Sequence, residues 1–303
     1  MELRRFLMLL SICLIIILLI VVWFFPANDD FHSENPFWNG AKDMVSIITA
    51  TPVSTLSGLP SPPDESTLIL VPYLELTTAE LEELRTFIDQ GGTLVLADDY
   101  GFGNQILEYL GLQTRFAGSV LLDPLFNYKN EWFPKISHFT PDPITNYTEC
   151  IVLNHATCLT GVESNNVVAR SSSFSFLDIN SNQVRDEGEP TGPLPVISHD
   201  RLGNGQLILI SDPSIFINSM GDIEDNINLI RNIAATAESR LLIDQSHLPP
   251  SNLSGTKNLI AYVRDFLSAP AGTIGLVIVV LAITMIPVLR RKEGPEEDEK
   301  RDS

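Results

Sequence analysis

The chain has 303 residues, of which 44% are hydrophobic and 19% are charged, and its formal net charge at pH 7 is −19. A surface this acidic repels phosphate backbones, so the composition excludes nucleic acid as an expected partner. About 245 residues lie between two long apolar segments, which is enough for one α/β domain with a full hydrophobic core.

The two apolar segments, residues 6–25 and 271–289, are each close to the roughly 20 residues that cross a bilayer as a helix. Basic residues flank each segment on the side away from the middle of the chain: Arg4, Arg5, Arg290, Arg291 and Lys292. Because positive charge stays on the cytoplasmic side, both flanks predict a two-pass protein of the cell membrane with cytoplasmic termini and an extracytoplasmic main domain. A cleaved signal peptide is the alternative for the first segment, but the apolar stretch is long for one and no Ala-x-Ala site follows.

This topology gives a set of predicted boundaries along the chain. They are a cytoplasmic N-terminus (1–5), a transmembrane helix (6–25), a stalk (26–38), the main domain (39–238), a linker with an amphipathic segment (239–270), a second transmembrane helix (271–289) and a charged cytoplasmic tail (290–303).

Strands and helices alternate in the first part of the domain. Residues 67–71 form a short, wholly apolar run that is typical of a strand buried on both faces. Thr77 and Glu80 have the spacing of a capping box, which predicts the start of a helix. A glycine pair ends this helix, and residues 93–97 predict a second buried strand. Strand, helix and strand with short connections indicate a right-handed parallel crossover.

The second part of the domain is less regular. Residues 115–175 contain short β-like runs between polar turns, and their order does not follow from the sequence. Residues 194–198 and 206–210 predict a β-hairpin. Asp212 begins a short helix or turn, and residues 222–238 predict a longer helix. Together these elements predict an α/β fold with a mostly parallel sheet and helices on both faces.

Polar side chains follow two of the predicted strands at the point where each strand ends. Ligands of open parallel sheets bind at the carboxyl ends of the strands, so this edge is the candidate ligand site. The candidate residues are Asp98, Asp99, Gly101, Gly103, Asn104, Asp212 and Asn218. Paired carboxylates there hold a cation or act as acid and base; the alternative is that they cap helices and shape turns. Trp38 is interpreted as core or stalk packing, with ligand stacking as the alternative.

Residues 178–189 place oxygen-bearing side chains at positions one, three, five, nine and twelve, which is the spacing of a calcium-binding loop. The predicted ligands, with the carbonyl oxygen of Val184 at position seven, are Asp178, Asn180, Asn182, Val184, Asp186 and Glu189. Gln183 stands where such loops have glycine, so only modest affinity is expected. A polar surface turn is the alternative.

Cys150 and Cys158 lie eight residues apart in the predicted extracytoplasmic domain. A disulfide between them is permitted outside the cell, and two free thiols are the alternative. The chain has no Cys-x-x-Cys pair and no zinc-type cluster of cysteine and histidine.

Residues 81–104 (LEELRTFIDQGGTLVLADDYGFGN), 192–196 (GPLPV) and 211–220 (SDPSIFINSM) resemble an uncharacterised family. Its members carry a class I glutamine-amidotransferase-like domain on a membrane anchor, mostly in archaea and bacteria. Similar domains occur in auxiliary proteins of gliding-motility ABC transporters and in an intraflagellar-transport subunit. The resemblance covers residues 37–236 and implies a flavodoxin-like sheet.

Active amidotransferases of this class place a nucleophilic cysteine at a sharp strand-to-helix turn. The equivalent turn here, residues 98–103, contains neither cysteine nor serine. The resemblance therefore implies a domain that has lost this chemistry.

These observations predict a non-catalytic, membrane-tethered binding or scaffold module that works with other membrane-complex proteins, such as a transporter or an ATPase-linked complex. The alternative is a metal-assisted hydrolase that uses Asp98, Asp99 and Asp212. Convergence of these three carboxylates would favour the hydrolase, and separate capping roles would favour the binding module.

Overall fold

The computed structural model describes residues 3–63 and 65–292. Residues 1–2 of the predicted N-terminal segment and residues 293–303 of the predicted tail lie outside the described residues. The chain divides into two compact units. One is Pro26–Ser251, and the other combines Met1–Phe25 with Asn252–Ser303.

The α-helices of the described residues alternate with strands only in parts of the chain. They are α1 (Leu3–Phe24), α2 (Lys42–Ile48), α3 (Thr78–Asp89), α4 (Gly103–Tyr109), α5 (Asn218–Gly221), α6 (Asn226–Ala234), α7 (Asn252–Ser268) and α8 (Pro270–Lys292). Many of the strands are only two or three residues long. They are β1 (Thr51–Val53), β2 (Thr67–Leu70), β3 (Thr93–Ala97), β4 (Arg115–Phe116), β5 (Val120–Leu122), β6 (Lys135–Ile136), β7 (His138–Phe139), β8 (Ile151–Val152), β9 (Leu159–Thr160), β10 (Val167–Arg170), β11 (Phe176–Asp178), β12 (Pro195–Leu202), β13 (Gly205–Ile210) and β14 (Leu241–Asp244).

An eight-stranded sheet forms the centre of Pro26–Ser251, in the order β1-β14-β2-β3-β13-β12-β10-β7. The five strands from β1 to β13 pair in parallel, and the remaining pairs are antiparallel. The α/β fold with a mostly parallel sheet is thus confirmed, as is the β12–β13 hairpin. The capping box at the start of α3 is confirmed as well, because Thr77 and Glu80 exchange hydrogen bonds.

Helices cover both faces of the central sheet because successive strand residues point to opposite sides. On one face, Leu68 and Leu96 pack in a cluster with buried residues of α3 and α4. On the other face, Ile69 and Val95 pack with buried residues of α2 and α6. This two-sided burial explains why β2 and β3 are continuous apolar runs rather than alternating ones.

The last strand of the sheet lies beyond residue 238, where the sequence analysis ended the domain. β14 inserts between β1 and β2, with Leu242 opposite both Thr51 and Leu68. The chain therefore enters and leaves Pro26–Ser251 at the same place, where the Ser251 hydroxyl donates to Asn28 Oδ1 at 2.8 Å. Residues 26–38, predicted as a stalk, also belong to this unit; Asn35, for example, is fully buried.

Among the described residues, α1 is the one helix that by itself is long and apolar enough to cross a membrane. Its position near the N-terminus also suits a signal sequence. Residues Asn252–Ser268 and Pro270–Met285 meet this criterion only as a pair, and the pair is bent by 83°. The described residues therefore contain one helix that could cross a membrane by itself and a bent pair that meets the criterion only together.

Candidate functional site

The predicted site lies at the carboxyl ends of β3 and β13, which are neighbours in the sheet. Ala97 pairs with Ile210 in the last register position of these parallel strands. The Asp98 amide donates to the Ile210 carbonyl at 3.1 Å, which extends the pairing by one step. Asp98 and Asp99 therefore emerge beside Asp212, as expected for residues that follow adjacent parallel strands.

Asp98 accepts hydrogen bonds from the turn that follows it. Its two carboxylate oxygens each accept a hydrogen bond at 2.8 Å, one from the Gly101 amide and one from the Gly103 amide. A β-carbon on either glycine would lie 2.6 Å from the Asp98 carboxylate, so both positions require glycine. Burial raises the pKa of Asp98, although these hydrogen bonds oppose the effect. Asp98 thus shapes the turn into α4.

Asp212 likewise uses both oxygens on backbone groups. Oδ1 accepts from the Ser214 amide at 2.8 Å, which caps the short 3₁₀-helix Pro213–Phe216, and Oδ2 accepts from the Asn154 amide at 2.6 Å. The side chain is fully buried. Burial raises its pKa to about 7, and the negative charge of Asp99 acts in the same direction.

Of the three carboxylates, Asp99 accepts the fewest hydrogen bonds. Its exposed fraction is 7%, and its Oδ1 accepts from the Tyr100 amide at 2.6 Å. Burial and the nearby charge of Asp98 raise its pKa to about 6. Burial also raises the pKa of Tyr73, and four carboxylates act in the same direction: Asp99, Asp212, Asp98 and Asp30. Negative charge is therefore concentrated around Tyr73.

A cleft of about 170 Å³ opens beside this group of carboxylates. It is lined by Asp30, Phe31, Trp38, Asn39, Tyr73, Asn154, Ser214 and Ile217. Two of these residues, Asn154 and Ser214, are the backbone partners of Asp212, so the cleft borders that carboxylate. The rings of Phe31 and Tyr73 lie 5.3 Å apart and form part of one wall. The cleft is both aromatic and acidic.

The other two polar candidates hold the structure together. Asn104 bonds the backbone of Phe116 through both ends of its amide, at 2.8 and 2.9 Å, and so ties α4 to β4. Asn218 donates to the carbonyl oxygens of Asn35 and Phe37 and accepts from the Asp43 amide. It braces the segment that carries Trp38 without lining the cleft.

The loop 178–189 is closed by hydrogen bonds from its own backbone. Asp178 accepts from the amides of Asn182 and Gln183, at 3.1 and 2.9 Å. Glu189 accepts from the amides of Ile179 and Asp186, at 2.9 and 3.0 Å. Gln183 has a φ of 62°, so it adopts the left-handed conformation that glycine takes at this position of a calcium loop.

The remaining predicted ligands of the loop contact one another. Asp186 Oδ2 accepts from the side-chain amides of Asn180 and Asn182, at 2.6 and 2.8 Å. Val184 donates its amide to Asn182 Oδ1 at 2.8 Å. Within residues 3–63 and 65–292, no group of three or more His, Cys, Asp or Glu side chains is arranged to hold a metal ion. Any cation in this loop would depend on asparagine and backbone oxygens as well.

The cysteines are not bridged in the structure. Cys150 and Cys158 are both free thiols, the second of them buried. Burial raises the pKa of Cys158 to about 11 and also raises that of Cys150, so neither is an activated thiolate.

Tyr73 and Asn154 were not predicted as site residues from the sequence, and Trp38 was predicted to lie in a stalk. Tyr73 had a usable signal, because it follows β2 at the same edge of the sheet as Asp98 and Asp212. Trp38 had only its residue type, which made ligand stacking an alternative, and Asn154 had no signal, since long-range contacts bring both segments to the cleft.

Residues 33–234 match the family described as Domain of unknown function (DUF4350). The chain belongs to this family. No curated protein matches the chain.

Three solved structures illustrate what this chain is similar to. The mmIFT52 N-terminal domain is 16% identical, with a TM-score of 0.43, over 57% of this chain and 79% of that one. The cytoplasmic protein STM1381 from Salmonella typhimurium LT2 is 13% identical, with a TM-score of 0.40, over 64% and 79%. A β-galactosidase from Bacillus circulans sp. alkalophilus is 13% identical, with a TM-score of 0.35, over 57% and 22%. We infer no function from likenesses this distant.

Proposed function

We propose that this DUF4350 protein is a non-catalytic, membrane-tethered extracytoplasmic binding module that forms part of a membrane complex. The observation that carries the proposal is the use of the strand-end carboxylates. All four carboxylate oxygens of Asp98 and Asp212 accept hydrogen bonds from backbone amides, which is a structural role. An open cleft lies next to them. A site built this way holds a ligand in place and has no prepared nucleophile.

The same proposal includes the finer fold and the lost activity. We regard the central sheet as flavodoxin-like and related to class I glutamine-amidotransferase domains. The turn after β3, residues 98–103, has an aspartate at its start and no thiol or hydroxyl nucleophile. Glycines 101 and 103 are accounted for by the Asp98 carboxylate, so the turn is adapted to a buried acid rather than to an exposed nucleophile.

The proposed topology is two-pass, with both termini in the cytoplasm. Its support is α1, the apolar composition of α8 and the basic residues that flank them on the outer sides. Protease treatment of intact cells tests it. Digestion within 26–251 from outside is the expected result, and full protection of that unit would refute the topology.

The hydrolase alternative requires Asp98, Asp99 and Asp212 to act together on a metal ion. It is disfavoured because, of these three carboxylates, only Asp99 has an oxygen that accepts no hydrogen bond from the described residues. A second argument is that these residues form no group suited to a metal.

We further propose that loop 178–189 binds calcium weakly. The left-handed Gln183 and the contacts of Asp178 and Glu189 with the loop backbone support this, because they give the chain path of a calcium loop. Rotation of each asparagine amide group would turn its oxygen, instead of its nitrogen, toward Asp186.

Calorimetric titration of calcium chloride into the full chain in mild detergent tests this loop. The expected dissociation constant is on the order of 10⁻⁴ to 10⁻³ M. Asp178→Ala should abolish the heat of binding, and Asp222→Ala, at an exposed position outside the loop, should not. A wild-type chain that gives no calcium heat would refute the loop's role.

Affinity purification from native membranes tests the binding module itself. We expect a defined membrane protein to copurify with the wild-type chain and to be lost with Trp38→Ala, which removes an exposed ring from the cleft. Phe174→Ala removes another exposed ring, outside the cleft, and should retain the partner. Copurification that is the same for both variants, or absent from the wild type, would refute the proposal.

A further inference from the structure

We propose that the cleft binds a small organic cation, with an ammonium group held against Trp38 and Tyr73. This inference rests on the proposed function as a binding module and names the chemical class of its ligand. Nothing else about the ligand, such as the length of its carbon chain, is assigned.

The first observation is an aromatic side chain that the fold holds in solvent. Trp38 lines the cleft with 69% of its surface exposed, which is unusual for the largest apolar side chain. Its segment is nonetheless fixed. The Trp38 carbonyl accepts from the Ser219 amide at 3.1 Å, and Asn218 bonds the carbonyls of Asn35 and Phe37. An exposed indole carried by a fixed backbone segment in the lining of a cleft offers a surface for a cation.

Close packing of the backbone fixes the same segment further. A β-carbon on Gly40 would lie 2.1 Å from the Asn35 carbonyl oxygen, so this turn requires glycine. Asn35 is fully buried, and its side-chain amide donates to the Asp29 carbonyl at 2.8 Å. The position of Trp38 is thus set by the fold before any ligand arrives, which reduces the entropy lost on binding.

The second observation is unpaired polar atoms behind the aromatic wall. Among the described residues, the Tyr73 hydroxyl and Asp99 Oδ2 form no hydrogen bond, although Asp99 is more than nine-tenths buried. Asp99 exerts the largest charge effect on Tyr73 and is also the charge that acts on Asp212, so it lies near both side chains. Neither atom is sealed from solvent, because among the described residues only Ser66 Oγ and Ser211 Oγ are fully buried without a hydrogen bond, so both are open to a ligand that donates hydrogen bonds or carries positive charge.

The third observation is that the acidic groups around Tyr73 have no basic partner. Among the described residues, none of Asp30, Asp98, Asp99 and Asp212 forms an ion pair with lysine or arginine. Three of these carboxyl groups, Asp98, Asp99 and Asp212, are buried, which is costly for their charged forms without a counter-ion, and a bound cation would offset that cost. A metal ion fits less well than an ammonium group, because one wall is aromatic and these residues form no metal-holding group.

Calorimetric titration of choline chloride into the full chain in mild detergent tests the inference. The matched neutral probe is 3,3-dimethylbutan-1-ol, which has the shape of choline without its charge. We expect choline to bind and the alcohol to bind at least roughly tenfold more weakly, because the charge supplies the attraction to both the rings and the carboxylates. Equal binding of the two probes, or no binding of choline, would overturn the proposal.

The pH dependence of choline affinity gives an independent readout. The titratable groups whose charges act on Tyr73 come from several segments, namely Asp30, Asp98, Asp99 and Asp212, and Asp99 and Asp212 also act on Tyr100. Burial raises the pKa of Asp99 to about 6 and that of Asp212 to about 7, so both lose protons between pH 5 and 8. A bound cation favours the charged carboxylates, and affinity should therefore rise by roughly tenfold or more over this range with release of protons. An affinity that does not change with pH would contradict the role of these carboxylates.

Variants separate the cleft from the rest of the surface. Trp38→Ala should weaken choline binding by roughly 3- to 30-fold, and Phe174→Ala should leave it unchanged. Because both residues are exposed, neither change should prevent folding. A loss of affinity that is equal in the two variants would overturn the assignment to the cleft.

Two further comparisons are needed. One distinguishes a lipid headgroup from a free amine as the source of the ammonium group, and the other separates the ligand proposal from the membrane-complex proposal. Glycerophosphocholine carries the headgroup of a lipid; tighter binding than choline indicates a lipid source, and weaker binding indicates a free amine. If choline fails to bind while a partner is still lost with Trp38→Ala, the ligand class is wrong and the binding module stands. If choline binds and no partner copurifies, the ligand class stands and the membrane complex is wrong.

Discussion

Asp212 offers the sharpest test of how the strand-end edge is built. The proposed change is Asp212→Asn, which removes the charge and keeps the shape of the side chain. In the wild type, burial gives Asp212 a pKa of about 7, against an ordinary 3.8. Between these values the folded chain keeps a proton that the unfolded chain has lost, so stability falls as pH rises from about 4 to about 7.

The magnitude follows from the two pKa values. Each unit of difference corresponds to about 1.4 kcal/mol, so this single group lowers the free energy of unfolding by on the order of 4 kcal/mol across that range. The asparagine variant lacks this dependence. It also loses one accepted hydrogen bond, either from Asn154 or from Ser214, at a cost of roughly 1–3 kcal/mol at every pH. The variant should therefore be less stable than the wild type at pH 4 and more stable at pH 8.

Urea unfolding of the full chain in mild detergent, followed at steps from pH 4 to pH 8, measures this crossing. Asp222→Asn is the matched control, because it changes the net charge equally at an exposed position. It should follow the wild-type curve. Parallel curves for Asp212→Asn and the wild type would refute the argument, since they would mean that Asp212 is already charged in the folded protein at low pH.

Three further changes probe the framework around the cleft. Burial disfavours charging of His247, but its contacts with Asp244 outweigh this effect and raise the pKa of His247. His247→Gln should therefore lower the free energy of unfolding by roughly 1–3 kcal/mol below pH 6. Urea unfolding should show that this loss shrinks as pH rises through the pKa of His247. Asn218→Ala should cost roughly 1–2 kcal/mol and speed amide hydrogen exchange in residues 35–40, whereas unchanged exchange would mean that the segment is held by other contacts. Gly103→Ala places a β-carbon 2.6 Å from the Asp98 carboxylate and should lower the thermal unfolding midpoint by at least roughly 4 °C. An unchanged midpoint would show that the turn is not tightly packed.

Local patterns predicted the centre of the fold because β2 and β3 are apolar runs with clear ends. Pro72 follows the first, and a glycine pair precedes the second. β14 escaped prediction for the opposite reason. It has only four residues, LLID, and a segment rich in proline and serine follows it, so nothing nearby marks it as part of the sheet. It is a strand because it pairs with β1 and β2, which are distant in sequence.

The candidate site divides in the same way. The sequence predicted that Asp98, Asp99 and Asp212 lie at one edge, because that follows from strand ends alone. Which oxygens remain available does not follow from strand ends. The bonds from Asn154 to Asp212, and from Asn218 to the segment around Trp38, join parts of the chain that are far apart in sequence. The cleft is therefore a product of tertiary contacts, and its aromatic wall could not be predicted from periodicity.

The meeting of Asn28 and Ser251 has a mechanical consequence. A load applied through the two chain connections of Pro26–Ser251 acts at a single point and pulls Asn28 and Ser251 apart. Such a load would act first on the segments next to these two residues, for example where the Phe31 amide donates to the Asn39 carbonyl and the Ser33 amide donates to Gln245 Oε1, and it would not stretch β2, β3 or β13 along their length. Because Asp30, Phe31, Trp38 and Asn39 line the cleft and follow Asn28 closely in the chain, tension would reach the cleft before it reached the central sheet.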